Sequence, residues 1–126
     1  MIRFFYNTQK RPAAPFVFLT IRHPHNGLEI QNVPAQVDTG ADRTVLPLDL
    51  ASALGLDQID AIPIAGFGGK AEEMPVYEVS VAIRTFPFQL ARAIAHADEP
   101  WILLGRDVLN GYRIVFDGPN LALEID

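Results

Sequence analysis

Ten prolines and nine glycines are spread along the 126 residues. They cut the chain into pieces too short for long helices, and most pieces have the composition of β-strands. In "PFVFLTIRHP", from Pro15 to Pro24, aromatic and β-branched residues dominate; "HNG" then supplies a turn and "LEIQNV" a second strand. "YEVSVAIR" alternates: Tyr77, Val79, Val81 and Ile83 point one way, Glu78, Ser80, Ala82 and Arg84 the other. Phe86, Phe88 and Leu90 carry the same pattern onward, and "YRIVF" and "LALEI" flank "DGPN" as a terminal hairpin. Two segments depart from it. "PLDLASALGL" spaces Leu48, Ala51 and Leu54 as a helix does, with Pro47 ahead and Gly55 where a helix C-terminus wants one. "GRDVLNG" predicts a shorter helix ending at Asn110-Gly111. Short strands with two small helices predict a mostly β, barrel-like or sandwich domain. Residues 1–15 read as an N-terminal arm or edge strand carrying Phe4, Phe5 and Tyr6, and residues 16–126 as the domain proper.

The length suits one core rather than two, and 49% hydrophobic residues is an ordinary globular value. With no cysteine, disulfides and thiolate metal ligands are excluded. A net charge of -5 without a dense run of Lys and Arg argues against a nucleic-acid partner. No apolar run approaches the roughly 20 residues of a membrane span, and "MIRFFYNTQKRP" lacks the pattern of a signal peptide. The expected compartment is the cytoplasm.

Against this background "AQVDTGADRTVLP" stands out. A carboxylate among apolar residues is expensive unless paired, hydrogen-bonded or protonated. Either Asp38 closes a turn by bonding its own backbone, or it is held for chemistry. The flanking sequence bears on that choice. A strand ends in Val37, Gly40 allows a backbone conformation that other residues resist, and "TVLP" returns at once to strand. Farther on, "WILLGRDVLNGYRIVF" gives a second apolar strand ending in Gly105, followed by a helix. Between them "IAGFGGKAEEM" predicts a hairpin tip with three glycines, suited to act as a lid.

These features together resemble the retropepsin-like aspartic proteases, the single-domain, retroviral-type branch. The resemblance rests on Val37 to Asp42, the glycine-rich stretch Gly66 to Gly69 and Leu103 to Asp107, and runs from about Phe16 to Ile125. It implies a retropepsin-like β-barrel with a flap hairpin, and an aspartic endopeptidase that hydrolyses protein or peptide substrates without cofactor or metal. The active form would be a homodimer, each chain contributing one catalytic Asp38. Two carboxyls at short range share one proton: the ionised one takes a proton from water and the protonated one polarises the peptide carbonyl. By the same resemblance Thr39, Gly40, Ala41, Asp42, Gly105 and Arg106 support the loop. Thr39 would bond the partner's loop, Gly40 would lie near substrate backbone, and Arg106 would pair with Asp42. Arg43, Gly66, Phe67, Gly68, Gly69 and Ile102 would contact substrate. The alternative is a non-catalytic domain of the same fold that binds peptides or dimerises.

Three features depart from viral members: Arg43 on the cleft wall, "AHADEPW" before Ile102 with Asp98 and Glu99 read as solvated, and the long C-terminal hairpin. Apolar "IRFFY" and "LALEI" are expected to interleave as strands across a two-fold axis. Elsewhere, His23 and His25 read as solvated imidazoles in a turn rather than metal ligands. Trp101 reads as core, and Glu72 and Glu73 as solubilising a hairpin.

Overall fold

The structure, a computed structural model, describes residues 1–65 and 69–126. It is mostly β, with two short helices among the described residues. The strands are β1 (Ile2–Phe5), β2 (Phe16–Arg22), β3 (Glu29–Val37), β4 (Val45–Pro47), β5 (Gln58–Ala65), β6 (Ala71–Ile83), β7 (Gln89–His96), β8 (Ile102–Leu104), β9 (Ile114–Asp117) and β10 (Ala122–Ile125). Six of them close a barrel in the order β2-β3-β8-β4-β7-β6, with β6 returning to β2. Successive strand residues point to opposite faces, so alternate residues fill the barrel: Val17, Leu19 and Ile21 from β2, Val79, Val81 and Ile83 from β6, Ile102 and Leu104 from β8.

Helix α1 (Leu48–Leu54) follows the proline as the spacing predicts, burying Ala51 and Leu54. It ends on Gly55 in the left-handed region (φ 60°), which a side chain would oppose. Helix α2 (Arg106–Leu109) buries Val108 and Leu109. None of the described helices is long and apolar enough to cross a membrane.

The alternation predicted through Phe86, Phe88 and Leu90 does not hold. Arg84 takes a left-handed φ of 48° in a turn, which resets the phase. β7 then turns Ala91, Ala93 and Ala95 inward and leaves Phe88 and Leu90 exposed. Phe86 packs on Tyr112 instead, ring centroids 5.2 Å apart.

The terminal segments also differ from expectation. β10 lies between β1 and β9 in one antiparallel sheet, so "IRFFY" and "LALEI" pair within one chain, and both edges of β10 are taken. Phe4 is buried in the core while Phe5 is exposed.

Candidate active site

The chain leaves β3 at Val37, turns through residues 38–44, and re-enters as β4 on the far side of β8. β8 runs parallel to β3 and antiparallel to β4. The Asp38 loop is therefore slung across the end of a buried strand. The Asp38 N–H donates to the Leu104 carbonyl at 3.0 Å, and the Arg106 N–H to that of Ala41 at 2.9 Å. These bonds fix the loop against the β8–α2 junction.

Asp38 is half-buried. Its Oδ1 accepts the Gly40 N–H at 3.0 Å, and its carbonyl accepts the Ala41 N–H at 3.2 Å. It therefore forms the Asx-turn that the motif allows, and the turn itself aims the carboxylate. Gly40 is not among the described glycines in the left-handed region, which are Gly27, Gly55 and Gly69. Its constraint is space: a Cβ there would sit 3.2 Å from Asp38 Oδ1.

Arg106 does not pair with Asp42. Among the described residues no ion pair joins them; the guanidinium donates to the Thr39 carbonyl at 2.8 Å. It thus braces the loop through the backbone, while Thr39, Gly40 and Asp42 stay exposed. Ile102 is fully buried, with 0% exposure, so it offers no surface to a ligand. In β8 it is Leu103, opposite Val45, that is half-exposed. Arg43 is half-buried, and its backbone lies against Gly105. Gly66, Phe67 and Gly68 lie outside the described residues; the arms that carry them, β5 and β6, pair up to Ala65 and Ala71.

Two residues that hold the loop were given no role by sequence reasoning. Thr44 is fully buried, yet each of its polar groups has a partner. Its N–H donates to Asp107 Oδ2 at 3.0 Å and its hydroxyl to Oδ1 at 2.8 Å. The hydroxyl accepts the Gly105 N–H at 3.1 Å, and its carbonyl accepts the Ile94 N–H at 3.0 Å. The available signal was a polar residue set directly before an apolar run, in "TVLPL" and "DVL". Thr44→Val keeps the shape but leaves the buried Gly105 N–H without its acceptor, while Asp107 Oδ1 loses one of its two donors and keeps the Val108 N–H at 3.0 Å. The expected loss is about 2 kcal/mol of stability, measurable by urea denaturation.

Other expectations shift as well. His23 is 6% exposed rather than solvated; its Nδ1 accepts the N–H groups of His25 and Asn26, at 3.0 and 3.2 Å, and so builds the turn. Among the described residues no group of three or more His, Asp or Glu is arranged to hold a metal. Trp101 is half-buried rather than core: its Nε1 donates to Gln36 at 3.0 Å and the Lys10 ammonium lies 3.4 Å from its ring centroid.

A cleft of about 200 Å³ lies between the hairpin arms and the strands behind the loop, lined by Val45, Ile64, Met74, Ile94, His96 and Glu99. Glu99 is half-buried there rather than simply solvated.

The chain and its fold resemble known proteins. Residues 26–111 match the family model described as gag-polyprotein putative aspartyl protease. A retropepsin-like aspartic protease from Rickettsia conorii superposes with a TM-score of 0.69 at 20% identity, over 97% of this chain and 87% of that one. The EIAV protease, solved with the inhibitor HBY-793, gives 0.61 at 26% identity, over 86% and 93%. The retroviral protease-like domain of Ddi1 from Leishmania major gives 0.53 at 17%, over 88% of each.

Proposed function

Because the chain belongs to the gag-polyprotein putative aspartyl protease family, whose fold it shares with retropepsin-like aspartic proteases, we propose that it is an aspartic endopeptidase working as a homodimer. The observation that carries this reading is the Asp38 carboxylate, fixed by the Gly40 N–H at the end of a loop strapped to β8. One chain supplies one such carboxyl, and the chemistry requires two.

In the dimer the two Asp38 carboxyls share a proton, because two adjacent negative charges are costly. The ionised carboxyl accepts a proton from water as the water oxygen bonds to the peptide carbon. The protonated one hydrogen-bonds the carbonyl oxygen. The C–N bond of the tetrahedral intermediate then breaks as its nitrogen takes up a proton. Exposed Thr39 is suited to bond the partner's loop, and the β5–β6 hairpin to cover a bound peptide as a flap. The substrate is a protein or peptide and the compartment the cytoplasm.

The test is specific activity on a peptide library against protein concentration, with sedimentation on the same samples. Activity per chain should fall on dilution below the dimer dissociation constant. An excess of Asp38→Asn chains should suppress it further, since each mixed dimer holds one carboxyl. Constant specific activity in a monomer would overturn the shared-site mechanism. Inactivity in every assembled sample would leave a peptide-binding domain as the reading.

A further inference from the structure

We propose that the cleft between β4, β7 and the hairpin arms receives a side chain with an aliphatic stem and a cationic head, lysine or arginine, with Glu99 as its counter-charge. The inference deepens the peptidase reading and takes from it only that the ligand is a polypeptide.

The walls are apolar. Val45 and Ile94 face each other across β4 and β7, and Ile64 and Met74 come from the two hairpin arms. The cleft's volume of about 200 Å³ is several times the ~30 Å³ that a water occupies in the liquid, enough for a long side chain.

Its polar residues are His96 and Glu99. The His96 Nδ1 accepts the Asp98 N–H at 3.1 Å, which holds the imidazole in place. Glu99 is a half-buried carboxylate beside hydrocarbon, a position that favours acquiring a cation. Among the described residues no Lys, Arg or His lies within ion-pair distance of it, and residues 66–68 are Gly-Phe-Gly, without charge. The adjoining groove shares Met74 and His96 and adds Glu72, Glu73 and Asp98. These carboxylates extend the negative field over the cleft mouth. A purely aliphatic side chain would fill the walls and leave Glu99 unmatched; an acidic one would meet repulsion.

The test separates binding from cleavage. Asp38→Asn protein is titrated with fluorescent peptides in which one position at a time is lysine, arginine, norleucine or glutamate. At one position lysine or arginine should bind about three- to fivefold more tightly than norleucine, the strength of a partly exposed ion pair, and glutamate most weakly. Adding Glu99→Gln should erase the preference for the cation over norleucine, and Glu99→Lys should turn it toward glutamate. A preference that survives Glu99→Gln, no cationic preference at any position, or no binding by any peptide would overturn the proposal. A Glu99-dependent preference in a protein whose wild type cleaves nothing would uphold the cleft and remove the peptidase reading.

Discussion

Asp38→Asn is expected to lower peptide hydrolysis by about a thousandfold or more, the scale of losing a positioned general base, while leaving the fold intact. The structure separates these two outcomes. The asparagine side-chain oxygen can still accept the Gly40 N–H that Asp38 Oδ1 accepts at 3.0 Å, so the Asx-turn survives. The bonds that strap the loop run through backbone groups of Asp38 and Ala41 and through Arg106, and an amide at position 38 disturbs none of them. What disappears is the ability to take a proton from water. The measurements are cleavage of a peptide library, thermal unfolding and sedimentation on both proteins. Equal cleavage rates would remove Asp38 from the chemistry; a collapse in unfolding temperature would mean that the carboxylate is structural.

The second large effect is on stability, at Gly105. Its φ is -90°, so any residue tolerates the backbone there, and the constraint comes entirely from the neighbour. A Cβ would stand 2.6 Å from the Arg43 carbonyl carbon, 2.8 Å from its oxygen and 2.9 Å from the Thr44 nitrogen. All three are backbone atoms, and Thr44 is tied to Asp107, Gly105 and Ile94. Nothing there yields cheaply. Gly105→Ala should therefore cost about 3 kcal/mol, or roughly 10 °C in unfolding temperature for a chain of this size. Gly111→Ala is the control, because the three atoms nearest its Cβ would all belong to the Gln89 side chain, the closest being Nε2 at 2.9 Å; that amide can swing aside, and the loss should stay under about 1 kcal/mol. Similar unfolding temperatures for the two variants would refute the steric account.

What the sequence made legible follows from how local each signal is. Alternation in "YEVSVAIR" and helical spacing in "PLDLASALGL" are short-range patterns, and β6 and α1 follow them. Asp-Thr-Gly and Leu-Leu-Gly-Arg-Asp, read together in the sequence, do meet in the structure, where the Asp38 loop is bonded to Leu104 and Arg106. The errors lie where a partner or a phase had to be chosen. Arg106 and Asp42 looked complementary by charge, but the guanidinium reaches the Thr39 carbonyl instead. Thr44 and Asp107 meet across 63 positions, which no local pattern reports. In β8 a one-residue phase decides that Ile102 faces the core and Leu103 does not; a three-residue strand carries too few residues to set that phase. Likewise the half-burial of Glu99 depends on the hairpin arms packed nearby, and its acidic neighbours in sequence suggested only solvent.

β6 runs unbroken for 13 residues, yet its two halves belong to different thermodynamic units. From Ala71 to Pro75 it is paired only with β5, whose own residues are largely exposed. From Val79 onward it is held by β7 and then by β2, with Val79, Val81 and Ile83 sealed in the barrel. The free energy needed to break an amide hydrogen bond thus climbs along a single strand, from the small values of local opening to those of global unfolding. Fraying that begins at the hairpin meets a stop near Val76, the first residue that β7 also grips. The outer arms can open and close many times on a barrel that stays folded, because the strand that joins them is soft at one end and anchored at the other.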